Sequence, residues 1–512
     1  MTRAKQGIGQ RSDSPRGSLA MSLVSAILGA AVALQILVFF VHAHQAVTFP
    51  YQLDYGEGPI LQIALRGAQG RALYPPVDQP PYVVASYMPL YYALCALGAE
   101  ATGPSFLFGR IVSCLSAVAI ALFVALIVWE QSRHRFAAFL AGGLILAMPH
   151  FMVWSTLMRV DMMALALAVV GFYLFLRGRR AGGIAAFSLA VLARRTTVAA
   201  MGAAFLGYAR RRGLRQAAAA FALQVVAILL LVAAAVLVTR GGLYRQLYLH
   251  TATSVGEAWT WQQLRSLLWV PGNPCPLKLW PAYFALTAIA AVWSAFHRPS
   301  RLVLLYFLLA CLIFLTGGRI GSAHNYLLEP TAVGAMMFGA MWAALARRPG
   351  LGRLALMLIA GGLVAQMLWT TQHLPDTFSV LQPRVDPSAS QYIVDRIKHT
   401  DGDVLCEDTG LNLLAGEEPP LMPFEFTMMA RRGALDPTPV FDRVRAGGYP
   451  LIVLRFNPMD PREVELHTPG DDWKAGRWSD GIISGVIESY WFEKDVGPYF
   501  LFVPKAQPLD TS

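Results

Sequence analysis

Eleven apolar runs, separated by short basic clusters, constrain this chain more than any other feature. The runs fall at about 19–41, 106–130, 137–157, 160–176, 182–194, 197–209, 216–239, 279–296, 302–317, 326–346 and 354–373. A run of about 20 apolar residues is what a helix needs to span a bilayer. The first run is 23 residues long, from Leu19 to Val41. That exceeds the roughly 7–15 residues of a signal-peptide core, so it reads as an uncleaved first membrane helix. The basic residues between runs are Arg133/Arg135, Arg177/Arg179/Arg180, Arg210/Arg211/Arg212/Arg215, Arg298/Arg301 and Arg347/Arg348/Arg353. With eleven crossings they all fall on one side, as the positive-inside rule requires. The long loops 42–105 and 240–278 and the tail 374–512 fall on the other.

Composition agrees. Only 14% of the 512 residues are charged and 55% are hydrophobic, against about 25% charged in soluble globular chains. This excludes an ordinary soluble enzyme and a disordered chain. The net charge of +11 resembles a nucleic-acid signal until it is located. Residues 374–512 carry −9 and residues 1–373 carry +20, and the clusters above hold 14 of the 29 Lys and Arg residues in 1–373. No basic face with readout residues accompanies it, so nucleic-acid binding is set aside. Of five cysteines, Cys95, Cys114 and Cys311 lie in or beside apolar runs and read as core residues. Cys275 and Cys406 lie outside them, either as free thiols or as a disulfide. No Cys/His spacing resembles a zinc site.

The fold class expected is therefore a polytopic α-helical membrane protein with a small C-terminal α/β domain outside the cytosol. Residues 1–18 form a cytosolic tail, 19–373 the membrane module and 374–512 the outer domain. Within that domain the sequence predicts a helix over 386–398, buried strands at 403–406 and 451–455, and a hairpin of 487–493 and 499–503 around Asp-Val-Gly-Pro. The run 182–209 is interrupted by Arg194 and Arg195. It reads as two short helices with the pair at their tip, or as a surface hairpin.

Acids are scarce before residue 374, and two places stand out. Asp54 and Glu57 follow the first helix in Leu-Asp-Tyr-Gly-Glu-Gly-Pro, and Asp161 follows Arg159-Val. Carboxylates at a membrane boundary have raised proton affinity and suit general-base work. Equally, Asp54 and Asp161 could cap helices. Outer-side cations are Arg66, Arg71, Arg159, Arg194, Arg195, Arg240, Arg245, Lys278 and Arg319. An anionic lipid phosphate is a natural partner for these, and snorkelling explains Arg66, Arg240 and Arg245 as well. Trp259, Trp261, Trp269 and Trp280 read as an interfacial belt or as a lid that grips sugar or lipid. Intramembrane Glu329, one turn after His324-Asn325-Tyr326, is either functional or bonded to a neighbouring helix.

Taken in order, several motifs resemble the membrane glycosyltransferases of GT-C fold that use polyprenyl-phosphate sugars, among them protein O-mannosyltransferases and the lipid A aminoarabinose transferase. They are Asp54-Tyr-Gly-Glu57, Ala68-Gln-Gly-Arg-Ala-Leu-Tyr74-Pro75, Tyr87-Met-Pro-Leu90, Phe108-Gly-Arg110, Arg159-Val-Asp161, Ala-Arg194-Arg195-Thr and Asn325-Tyr-Leu-Leu-Glu329. The resemblance covers roughly 20–373 and part of the tail. It implies Asp54 as catalytic base and Asp161 as a second acid. Many relatives have adjacent Asp and Glu, whereas here Glu57 stands three residues on, where one helix face would let it assist or substitute. It implies Arg159, Arg194, Arg195 and Arg319 as holders of the donor phosphate, although relatives often carry Lys at the pair. Tyr55, Tyr74, Tyr87, His324, Asn325, Tyr326 and Glu329 would contact substrate. The implied reaction moves a sugar, with inversion, from polyprenyl phosphate to a hydroxyl of a glycan, lipid or protein. No cofactor is implied, and a divalent metal stays open. The implied setting is a bacterial inner membrane with the tail in the periplasm. A lipid-linked sugar transporter or flippase is the rival reading, and a non-catalytic scaffold a third. An enzyme should bring Asp54, Asp161 and Arg194 or Arg195 to one place; a scaffold should leave the acids apart.

Overall fold

The computed structural model describes residues 15–249, 259–269, 279–319, 321–348, 350–373, 386–461 and 477–505. Cys275, Lys278 and the stretches 250–258 and 270–278 of loop 240–278 lie outside them. Every apolar run falls on a helix: α1 (Pro15–Thr48), α4 (Leu107–Ser132), α5 (Arg135–Ala147) with α6 (Pro149–Ser155), α7 (Val160–Leu176), α8 (Arg180–Ala193), α9 (Ala199–Arg212), α10 (Leu214–Val238), then Pro281–Phe296, Arg301–Phe314, Leu328–Ala346 and Leu351–Gln372. The outer loop supplies α2 (Glu57–Ala68) and α3 (Pro89–Thr102).

Among the described residues six of these are long and apolar enough to cross a membrane: Leu19–Thr48, Leu107–Ser132, Leu214–Val238, Arg298–Gly318, His324–Ala346 and Leu351–Gln372. The protein is an integral membrane protein. The run at 137–157, read above as one straight crossing, is a bent pair, turned by 66° between α5 and α6. Proline explains it: Met148 is extended and Pro149 opens the second helix, where its missing N–H costs nothing. Val160–Leu176, Arg180–Ala193 and Pro281–Phe296 are apolar but shorter. Arg194 and Arg195 do sit between two short helices, α8 and α9.

The basic clusters meet at one end of the bundle. Glu130 pairs with Arg133 at 2.8 Å and also with Arg177, and Arg347 donates to the Ser132 carbonyl. Between the ends lies one large apolar core, in which the helix Leu328–Ala346 is buried nearly all round.

Residues 386–505 build a four-stranded sheet in the order β1-β2-β4-β3, with β1 Val404–Cys406, β2 Leu451–Leu454, β3 Tyr490–Val496 and β4 Tyr499–Pro504. β1 and β2 run parallel, the other pairs antiparallel. The expected hairpin begins later than its alternation implied, because 487–489 finish the helix Asp480–Ser489. Strand residues alternate between two cores, as the period of two demands. Leu451 and Val453 face the helix Pro387–Lys398, while Ile452 and Leu454 face Thr438–Arg445 and Asp480–Ser489. Asp386 caps the first of these helices, accepting from Ser388 N at 2.9 Å and Ala389 N at 3.3 Å. Cys406 is buried in β1, and its possible partner Cys275 lies outside the described residues.

The sheet unit docks on α2 and the loops around it. Gly58 and Gly410 permit the approach: a Cβ on Gly58 would lie 2.4 Å from Thr409 Oγ1 and 2.8 Å from Gly410 N. Gln52 accepts from Gly410 N at 2.8 Å, Tyr82 N donates to Pro420 O at 3.1 Å, and Glu418 pairs with Arg66 at 2.7 Å and with Arg71.

Arg110 on α4 holds the outer loop in place. Its guanidinium is wholly buried and donates to Glu57 through Nε (2.8 Å) and Nη2 (2.7 Å), and to the carbonyls of Ala46 (3.0 Å), Phe49 (2.6 Å) and Tyr51 (2.7 Å). Removing one partner strands a buried charge, at a cost of about 3–5 kcal/mol. Arg110→Leu should therefore lower detergent-solubilised thermal stability sharply, and Arg110→Leu with Glu57→Leu should recover part of the loss. Equal melting of Arg110→Leu and wild type would contradict this role.

Candidate functional site

The turn between α1 and α2 and the turn before α7 present the site. Asp54 Oδ2 accepts from Gly56 N at 2.8 Å, a local turn bond, and from Arg159 Nη1 at 3.1 Å. Arg159 precedes α7 in extended conformation. Its Nη2 donates to Tyr87 Oη at 3.0 Å, its Nε stands 3.7 Å from Asp161 Oδ2, and its guanidinium lies over the Trp154 and Tyr87 rings. Asp161 Oδ1 accepts from Arg194 Nη1 at 3.0 Å and from Asn325 Nδ2 at 2.7 Å. Arg194 lies over the Tyr326 ring. Asp54, Arg159, Asp161 and Arg194 thus form one continuous chain of opposite charges, although Asp54 and Arg159 lie 105 residues apart in sequence.

The three acids differ in what they have left to offer. The Asp54 side chain is 34% exposed, Asp161 1% and Glu57 0%. Among the described residues no donor reaches Asp54 Oδ1. Glu57 is saturated: besides Arg110, its oxygens accept from the backbone N–H of Leu53 (2.7 Å), Asp54 (3.3 Å) and Met158 (2.8 Å). It does not share an open face with Asp54 but lies beneath it, joining the Asp54 turn to the Arg159 turn. The expected helical pairing fails because Asp54 precedes the helix that Glu57 begins.

The arginine pair divides. Arg194 enters the cluster, while exposed Arg195 donates to the Leu247 carbonyl at 3.0 Å. Arg319 is exposed and stands outside the ion-pair chain. Tyr74 is buried and donates to the Tyr87 carbonyl at 2.8 Å, setting Tyr87 rather than facing the acids. Glu329 accepts from Tyr306 at 2.9 Å, a bond to a neighbouring helix. His324 is partly buried, with an Nε2 that finds no partner.

Tyr55 turns toward the sheet unit, where it meets residues the sequence did not single out. Its hydroxyl donates to Glu425 at 2.8 Å and accepts from Phe424 N at 2.9 Å, and Arg477 lies over its ring. Burial raises the Glu425 carboxyl above the usual range, partly offset by the Tyr55 hydroxyl. Arg477 is held by Glu407 at 2.7 Å. Burial alone would raise Glu407, but Arg477, the Arg455 N–H and the Trp478 indole outweigh it and hold it below the ordinary range. Nothing in the local sequence marks Glu425, Glu407 or Arg477. Arg110 was visible only as part of Phe108-Gly-Arg110. Among the described residues, no three His, Cys, Asp or Glu side chains gather as a metal site would require.

Three solved structures share the architecture. ArnT from Cupriavidus metallidurans bound to undecaprenyl phosphate superposes with a TM-score of 0.58 at 14% identity, over 92% of this chain and 97% of that one. The same protein in its apo state gives 0.57 at 13%, with the same coverage. The Archaeoglobus fulgidus oligosaccharyltransferase, in complex with Zn and sulfate, gives 0.57 at 13%, over 94% of this chain and 74% of that one. ArnT is the lipid A aminoarabinose transferase, and both are GT-C enzymes. This chain has the GT-C fold. No protein-family model and no curated protein matches the sequence.

Two variants test the geometry. Gly56 has an ordinary helical φ of −68°, yet a Cβ there would lie 1.4 Å from Arg159 Nη1. Gly56→Ala should therefore strain the Arg159 contact rather than the backbone, costing about 1–3 kcal/mol by denaturation; an unchanged midpoint would contradict the placement. Glu407 has a depressed folded pKa, so its contribution is complete above the unfolded value of about 4.3 and is lost as pH falls through the folded value. Wild type should lose stability over that acidic window, and Glu407→Gln, already less stable at pH 7, should show a flatter acid limb. Parallel acid limbs would refute it.

Proposed function

We propose that this protein is an inverting membrane glycosyltransferase that takes a sugar from a polyprenyl-phosphate donor and gives it to a hydroxyl acceptor at the outer membrane face. The observation that carries the reading is the convergence of Asp54 and Asp161 on Arg159, with Arg194 beside them. A scaffold has no need of two carboxylates and two guanidinium groups joined at a membrane boundary. A transporter or flippase remains the alternative, but the helical first loop and the sheet unit closed over it favour chemistry on that face. The fold it shares with ArnT, a protein seen with undecaprenyl phosphate, supports the same donor class.

In this reading Asp54 is the base. It is the most exposed of the three acids and has one oxygen uncommitted. It takes the acceptor's proton as the acceptor oxygen bonds to the anomeric carbon. The bond from that carbon to the phosphate oxygen breaks on the opposite side, and polyprenyl phosphate leaves. Arg159 and Arg194 stabilise the charge that gathers on the leaving phosphate. A phosphate that draws Arg159 away also frees Asp54 Oδ2 from its ion pair, so that both carboxylate oxygens can face the acceptor. Asp161 holds both arginines in register. Glu57 is a positioning residue, and Tyr87 steadies Arg159. Arg195 and Arg319 are left as contacts to the lipid phosphate at its approach, and Tyr326, His324 and Asn325 as the wall facing the sugar. No step is routed through a metal. We place the membrane as a bacterial inner membrane, the sheet unit as a periplasmic domain from about residue 374, and the acceptor as a glycan, lipid or protein.

The test uses purified protein in liposomes with labelled polyprenyl-phosphate sugars and a membrane extract as acceptor source. Wild type should release polyprenyl phosphate from one donor, and Asp54→Asn should be slower by about 100-fold or more, as loss of a general base implies. Equal release by the two proteins would remove Asp54 from the mechanism. No release from any donor would favour transport.

A further inference from the structure

Beside the ion-pair chain, three buried polar atoms have hydrogen-bonding capacity and no hydrogen-bond partner among the described residues: Asp161 Oδ2, Asn325 Oδ1 and Arg159 Nε. Asp161 is 2% exposed and Asn325 7%. Buried polar atoms are nearly always satisfied, so several orphans on directly bonded residues call for an explanation. Asn325 donates to Asp161 Oδ1 through Nδ2 at 2.7 Å, which fixes its amide and leaves its oxygen as an acceptor. Arg194 takes the same Oδ1, so Oδ2 is the acceptor still open on Asp161. Arg159 Nε, 3.7 Å from that Oδ2, is too far to satisfy it directly.

We infer that Asp161 Oδ2, Asn325 Oδ1 and Arg159 Nε form a subsite for hydroxyl groups of the transferred sugar. The inference rests on the transferase reading above and deepens it. Two acceptors and one donor suit a pair of neighbouring hydroxyls: each gives its one proton to an acceptor, and one of them also accepts from Nε. A phosphate fits poorly, because it would face a carboxylate and an amide oxygen with one N–H in return. An ammonium fits poorly too, because two guanidinium groups already accompany the carboxylate. The same arginine therefore serves both ends of the donor, with Nε toward the sugar and the Nη groups toward the phosphate. Asp161 becomes a specificity-determining residue as well as an anchor. A site whose buried acceptors await a hydroxyl rejects a substrate that lacks it, because the acceptors are then left unpaired.

The probes are undecaprenyl-phosphate-linked mannose, galactose, glucose and arabinose, followed by the monodeoxy analogues of whichever donor the wild type consumes in proteoliposomes. Removing either of two neighbouring hydroxyls should lower kcat/KM by about 30-fold or more, with the other positions within about threefold. Asn325→Ala should be slower with the full donor and should shrink one of these two penalties to within about threefold, because the acceptor that hydroxyl left unpaired is gone. Monodeoxy donors that are all used within threefold of the parent would overturn the subsite and leave the transferase reading standing; the orphan atoms then hold water only. Persistence of both penalties unchanged in Asn325→Ala would overturn it also. Should Asn325→Ala fail to fold, the wild-type deoxy series alone decides. If wild type consumes none of the donors, the transferase reading fails and the subsite with it.

Discussion

A guanidinium and a carboxylate with no access to water cannot be left half paired, and the pair of Arg110 and Glu57 is the constraint on which this structure depends. Every strong donor of Arg110 is used: two on Glu57 and the rest on carbonyls that end α1 and lead into the loop beyond. Glu57 in turn accepts from the Asp54 turn and from Met158, next to Arg159. One buried pair therefore sets the distance between the two loops that carry Asp54 and Arg159. Such pairs add little stability over a well-packed apolar alternative. Their value here is geometric, because they fix two loops that have no regular hydrogen bonding to do it.

The chemistry is built outward from that base. Above the saturated Glu57 lies the half-open Asp54, then Arg159, then the closed Asp161 with Arg194 and Asn325. Of the three carboxylates only Asp54 is open, which sets the proposed base apart from the two that hold charge in place. The sheet unit completes the wall on one side. Tyr55, next to Asp54 in sequence, is clamped between Glu425 and Arg477, and Gly58 and Gly410 bring the two parts of the chain into backbone contact. The acidic tail and the outer loop fold as one surface.

The helices were legible because membrane burial writes itself as composition: each apolar run became a helix, and the clusters around Arg133, Arg177 and Arg347 lie at the same end. The strands at Val404–Cys406 and Leu451–Leu454 were legible for the same reason, as short apolar runs between breakers. Asp54, Arg159, Asp161, Arg194 and Asn325 were picked out by motif, and the fold joins them. The role of Glu57 was not legible. Its partner is 53 residues away, and nothing in a spacing of three distinguishes a carboxylate sharing a face from one turned into the core. Arg194 and Arg195 are neighbours in sequence but point to different partners, a distinction set by the turn between α8 and α9. The bend at Pro149 was hidden inside a run whose composition never changed, and Glu425 and Arg477 are marked only by tertiary contact.

The central claim is that Arg159 and Arg194 receive the phosphate of a polyprenyl lipid while Asp54 is released to act as base. The most direct measurement is a structure of the protein in lipid nanodiscs with undecaprenyl phosphate added. The account predicts phosphate oxygens within hydrogen-bond distance of Arg159 or Arg194, with Arg159 Nη1 withdrawn from Asp54. A phosphate bound elsewhere, with the Asp54–Arg159 contact intact, would contradict it.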